Sequence, residues 1–167
     1  FSTVSVGALG ATTISGVTNQ TINLTAAVTA DLTVTLASVS GTTDSATVSA
    51  TSTGAIALNA GVDVVVAGVE TINLVMTDAN TTAHQNNIQL EASSATTIVV
   101  TGNAGQDFSG SGNIASVVSL NAAGVVLGAV TATGITYAAT YNAVGGVTTI
   151  TGSNGVDNLT GGAITND

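Results

Sequence analysis

An all-β chain of short stacked strands is the fold the sequence predicts, wound as a solenoid of the parallel β-helix or β-roll kind in preference to a β-sandwich. Three observations predict it. Apolar and hydroxyl residues alternate at period two in run after run. These runs recur roughly every 8 to 15 residues with Gly, Asn, Asp or Ser between them, the spacing of a sandwich, barrel or solenoid. Several share one grammar, as in Thr21-Ile22-Asn23-Leu24, Thr71-Ile72-Asn73-Leu74 and Ser116-Val117-Val118-Ser119-Leu120-Asn121. Similar rungs stacked on one another explain that grammar, because a narrow coil buries small β-branched side chains and places Gly, Asn and Asp at its corners. A sandwich would call for bulky anchors, and the chain has two Phe, two Tyr and no Trp.

Taken in order, the alternation predicts strands over residues 3–6, 12–15, 21–24, 32–36, 46–50, 55–59 and 62–67. It continues over 71–76, 87–91, 96–101, 116–121, 131–137 and 147–151. Three stretches break the rhythm and read as loops: 37–44 (ASVSGTTD), 77–85 (TDANTTAHQ) and 106–113 (QDFSGSGN). The Ala-rich stretch 121–130 is a weaker helix candidate, disfavoured by its β-branched residues and glycines. No strict period runs the whole length. The chain divides into a Thr/Ala/Val-rich β domain over residues 1–150 and the start of a calcium-repeat array over 151–167, and it reads as a segment of something longer.

Composition excludes whole classes of partner. The 167 residues carry nine carboxylates, one His and no Lys or Arg, for a formal charge of −9. Binding nucleic acid by counterion release, or an anionic membrane surface, requires the cations this chain lacks. No apolar run is long enough for a membrane-spanning helix, so no membrane insertion is expected. Wherever two of these carboxylates meet, only water, a hydrogen-bond donor or a bound cation relieves the repulsion, and a hard divalent ion fits that need. Calcium is therefore the expected cofactor. The absence of Cys argues only against a disulfide scaffold.

One phrase occurs twice. Thr101-Gly102-Asn103-Ala104-Gly105-Gln106-Asp107 and Thr151-Gly152-Ser153-Asn154-Gly155-Val156-Asp157 both spell T-G-x-x-G-x-D, each after a run opening on Thr-Thr-Ile. The second continues as Asn158-Leu159-Thr160 and fits the calcium nonapeptide G-G-x-G-x-D-x-U-x, with Ser153 at the second glycine. In that motif glycines turn the backbone and aim carbonyls inward, so Gly152, Asn154 and Asp157 are candidate calcium ligands, and Leu159 faces the interior. An irregular next copy runs to Asp167, a further candidate. The plain alternative is an Asx turn. Asn103 and Asp107 are candidate ligands or turn caps in the first phrase, where Phe108 interrupts the nonapeptide. In the polar break, Asp78 and Asn80 are oxygen donors for calcium or members of a solvated loop; zinc is disfavoured beside a single imidazole, His84. With one His and no G-x-S-x-G elbow, no enzyme is expected.

The residues also carry a family likeness. Val69-Glu70-Thr71-Ile72-Asn73-Leu74, then Thr77-Asp78-Ala79-Asn80-Thr81-Thr82-Ala83-His84, then Ile98-Val99-Val100-Thr101-Gly102-Asn103-Ala104-Gly105, and the nonapeptide ending in Asn166-Asp167 resemble, in this order, the C-terminal part of the Caulobacter-type bacterial surface-layer protein. The resemblance implies a structural protein that leaves by type I export, folds outside the cell on binding calcium, and assembles with copies of itself into a lattice at the cell surface. It implies Asp157 as a nonapeptide ligand, and Asp78 and Asp107 as lattice or interdomain ligands. The nonapeptide lacks its second glycine. The relatives' anchoring region and export signal have no counterpart in this segment, so any contact with cell-surface polysaccharide would run through a region outside it. A repeat domain of a secreted RTX-type adhesin is the alternative. Thr33-Val34-Thr35 and Thr131-Ala132-Thr133 also suit a hydroxyl ladder for surface binding, but two isolated cases do not make one.

Overall fold

In the computed structural model, every strand pair among the described residues is parallel, and these residues wind as a stack of rungs rather than as two facing antiparallel sheets. The structure describes residues 2–7, 10–52, 54–56, 61–79, 84–114, 116–128, 132–138 and 149–160. Among them there is no helix. The strands are β1 (Thr3–Val6), β2 (Thr12–Val17), β3 (Thr21–Leu24), β4 (Leu32–Leu36), β5 (Ser45–Ser52), β6 (Val64–Val66), β7 (Thr71–Asp78) and β8 (Gln85–Asn86). They continue as β9 (Leu90–Glu91), β10 (Thr97–Gly102), β11 (Gly105–Asp107), β12 (Ser119–Val125), β13 (Thr133–Ala138), β14 (Thr149–Thr151) and β15 (Val156–Thr160).

A seven-stranded long wall, ordered β1-β3-β5-β7-β10-β12-β14, takes one strand from each turn of the coil. A first short wall, β2-β4-β6-β9, closes the early turns, and a second, β8-β11-β13-β15, closes the later ones. The turn holding β7, β8 and β9 belongs to both. Register explains the shared grammar. Thr21 pairs with Thr47, Thr47 with Asn73, and Thr71 with Thr97, each 26 positions apart, the same separation that joins Ser49 to Asn23 by a hydrogen bond. The flanking steps differ, at 18 for Thr3–Thr21, 22 for Thr97–Ser119 and 30 for Ser119–Thr149, which hides the period in the linear sequence.

Alternation at period two decides what each wall buries. The inward column Ala46–Ile72–Ile98–Leu120–Ile150 and its neighbour Ile22–Val48–Leu74–Val100 line the coil, and Leu74, Ile98 and Leu120 are fully enclosed. Each such side chain contributes about 1.5–3 kcal/mol of burial. The residues between them face out and are mostly Thr, Ser and Asn, for which the half-covered surface of a sheet is a good environment.

Several expectations change on this fold. Residues 121–125, the start of the weak helix candidate, form strand β12. The breaks at 77–85 and 106–113 hold the end of β7, Gln85 of β8, and Gln106 and Asp107 of β11. The run at 55–59 lies outside the described residues from 57 onward, and Ala55 and Ile56 are not in a strand. Strands β14 and β15 extend the long wall and the second short wall.

Candidate functional site

Both copies of T-G-x-x-G-x-D turn the same corner of the coil, from the long wall into the second short wall. The first joins β10 to β11 and the second joins β14 to β15, two turns further on. An asparagine does the same job in each, third in the first phrase and fourth in the second. Asn103 accepts the Asp78 N–H at 2.7 Å and donates to the Asp78 carbonyl at 2.8 Å. Asn154 accepts the Leu127 N–H at 2.7 Å and donates to the Leu127 carbonyl at 3.2 Å. Each amide thus replaces a missing strand pair, clamping the corner of the preceding turn where the backbone leaves its ladder.

Asp157 is the most heavily used carboxylate of the described corners. It accepts the Ile135 N–H at 2.7 Å, the Ser153 N–H at 2.9 Å and the Ser153 hydroxyl at 2.7 Å. Glycine makes room for it: a β-carbon on Gly134 would lie 2.5 Å from one Asp157 oxygen, and one on Gly152 would lie 2.3 Å from the other. Gly152 is therefore required here by the carboxylate packed against it. Replacing Asp157 with Ala strands all these donors in a partly buried corner and is expected to lower stability by about 2–3 kcal/mol. Hydrogen exchange checks it. Protection should fall first in β13 and β15, and equal protection in mutant and parent would remove the carboxylate's role.

The other candidates lie apart from this corner. Asp78 is buried at the end of β7, where its carboxylate takes the His84 N–H at 3.1 Å and pairs with the His84 ring. Asp107 caps its own turn by accepting the Ser109 N–H at 2.8 Å, with Asn87 at 3.5 Å from its second oxygen. Asn103 therefore meets Asp78 through the backbone of that residue, while Asp107 lies on the second short wall. Asn80 and Asp167 lie outside the described residues. No three carboxylate or imidazole side chains converge among the described residues. The side-chain oxygens of Asn103, Asn154 and Asp157 accept N–H and O–H groups of the chain. Leu159 pairs in register with Tyr137, sits at the last described rung and is 37% exposed.

Sequence reasoning missed the buried amides. Gln106 is fully enclosed and donates to the carbonyls of Ile88 at 3.0 Å and Asp107 at 2.7 Å, while Asn86 accepts the Ile56 N–H at 2.7 Å. They satisfy backbone groups where the coil changes from one short wall to the other. The amide-rich string Gln85-Asn86-Asn87-Ile88-Gln89 was the available signal. A further acidic pair stands on the rim of the first short wall. Asp31 accepts the Asp63 N–H at 3.0 Å, and the Asp63 carboxyl is pushed above the usual range by burial and by the charge of Asp31, against the pull of the Gly112 N–H. A surface depression lined by Val17, Thr18, Leu36, Thr43 and Asp44 holds a single carboxylate and no imidazole.

Neither a family model nor a curated protein matches this chain.

Proposed function

We propose that this chain is a structural subunit of a calcium-dependent extracellular surface layer or sheath, and that copies of it associate into a lattice or tube. One observation carries the reading: the described strands stack as parallel rungs whose outward side chains are mostly Thr, Ser and Asn, a repetitive surface suited to packing against copies of itself, while no Lys or Arg answers the nine carboxylates.

Charge opposes it. Nine carboxylates without a cation keep copies apart, and a divalent ion in the medium lowers that barrier. Calcium enters this reading between subunits, in the millimolar range typical of extracellular sites. Electron microscopy and sedimentation of the purified chain, in millimolar calcium and in excess chelator, test it. Polymers in calcium that disperse in chelator are the expected result. A chain that stays monomeric in both, at high concentration, overturns the reading, and polymers indifferent to chelator remove calcium from it.

A further inference from the structure

The geometry points to one contact between copies: the outer face of the seven-stranded wall packs against the same face of another copy. This inference rests on the self-association proposed above and names a surface for it. Along that face parallel register lines up Ser45, Thr71, Thr97, Ser119 and Thr149 in one ladder. A second ladder opens with Thr3, Thr21 and Thr47 and passes through Asn73 on β7, the central strand of the seven. Single Thr-x-Thr strings in the sequence do not reveal this array. It is made by stacking, which places residues 26 positions apart side by side.

What distinguishes the face is the charge it lacks. No outward residue of its strands is a carboxylate. The one acidic residue in those strands, Asp78, alternates inward and is buried. The carboxylates nearest the face, Asp44 and Glu70, stand at the corner that opens β5 and β7, where Glu70 accepts the Asp44 N–H at 2.9 Å; the first short wall carries Glu91 on β9 and has Asp31 and Asp63 at its rim, and the second carries Asp107 on β11. In a chain of charge −9, the middle of the long wall is where two copies can approach with the fewest carboxylates between them. Hydroxyls and amides are also self-complementary, since each donates and accepts, so an identical face satisfies them. The side chains are held ready: Thr is stiff at its first torsion, and Ser49 donates to Asn23 at 2.8 Å.

Size sets the strength. Seven strands at about 4.8 Å spacing, with about five residues each at roughly 3.3 Å, give on the order of 500 Å² per copy. A stable pair buries about 800 Å² per partner. The contact is therefore weak for two isolated chains and gains strength when many copies act together in an assembly.

The chain has no cysteine, so a single introduced thiol reports proximity cleanly. Asn73→Cys lies near the two-fold axis of any pairing centred on the face, and Thr33→Cys, facing outward on the first short wall, is its counterpart. With a short thiol cross-linker under associating conditions, the Asn73→Cys chain should form covalent dimers at least about tenfold faster than the Thr33→Cys chain. In parallel, Thr47→Asp with Thr97→Asp should weaken association roughly tenfold or more by like-charge repulsion, with circular dichroism unchanged, whereas Thr33→Asp should not. Should the parent chain remain monomeric, this inference and the proposed function fall together. If the parent associates but the two thiol positions cross-link equally, or the folded double Asp chain associates as the parent does, the face alone is overturned.

Discussion

Gly102→Ala is expected to cost about 4 kcal/mol or more, a large loss for so small a change. Gly102 closes β10 in register with Met76, at a φ of 117° that residues with a side chain rarely adopt. Forcing Ala there costs about 1–3 kcal/mol in backbone strain alone. Space makes it worse. A β-carbon would lie 1.9 Å from the Met76 carbonyl oxygen and 2.7 Å from its carbon, and neither can rotate away as a side chain would. That oxygen also receives the N–H groups of Asn103 at 2.9 Å and Ala104 at 3.3 Å, while the Gly102 carbonyl receives Val126 N–H at 2.8 Å. Moving it therefore unpairs the corner that joins three successive turns, at about 1–3 kcal/mol for each buried group left unmet. Urea unfolding of the two chains decides it, and a difference below about 1 kcal/mol would show that the corner relaxes freely.

How much of this was legible in the sequence depends on what each residue reports. The bounds of β1, β3 and β4 follow from alternation alone, since Val6, Ile22, Leu24, Leu32 and Val34 are the buried partners of hydroxyl residues that face out. Strands β8 and β11 do not, because their inward positions are filled by Asn86 and Gln106, which hold backbone groups where an apolar residue would hold a core. Solenoid stacking was legible in the Thr-Ile-Asn-Leu strings. Its 26-residue step was masked by unequal turns on either side. The doubled phrase was visible, as was the need for glycine, yet the reason for the glycine was not: Gly102 clears a backbone carbonyl, while Gly152 clears the carboxylate of Asp157. A motif match names residue types at a spacing, and what packs against each glycine is decided one turn away, at a sequence separation no local motif contains.

Phe108→Ala should produce the second large effect, and its distribution along the coil is more telling than its size. Phe108 and Tyr137 are the two aromatic residues among those described, both enclosed, with ring centroids 5.8 Å apart at 85° in an edge-to-face contact. They fill the later turns, where the second short wall replaces the first. Removing the ring leaves a cavity that costs about 3–5 kcal/mol, with about 0.5–1.5 kcal/mol of that scale attributable to the aromatic contact. In a stack, each rung touches only its neighbours, so stability is a sum of local terms and damage stays near its source. The turns built on β10 to β15 should open first, while amides of β1 to β6 keep their protection. Hydrogen exchange resolved along the chain measures this. Phe108→Leu, which keeps much of the volume, should recover most of the loss. Uniform loss of protection from β1 to β15 would mean that the coil unfolds as one cooperative unit, and the rung-by-rung account of its stability would be wrong.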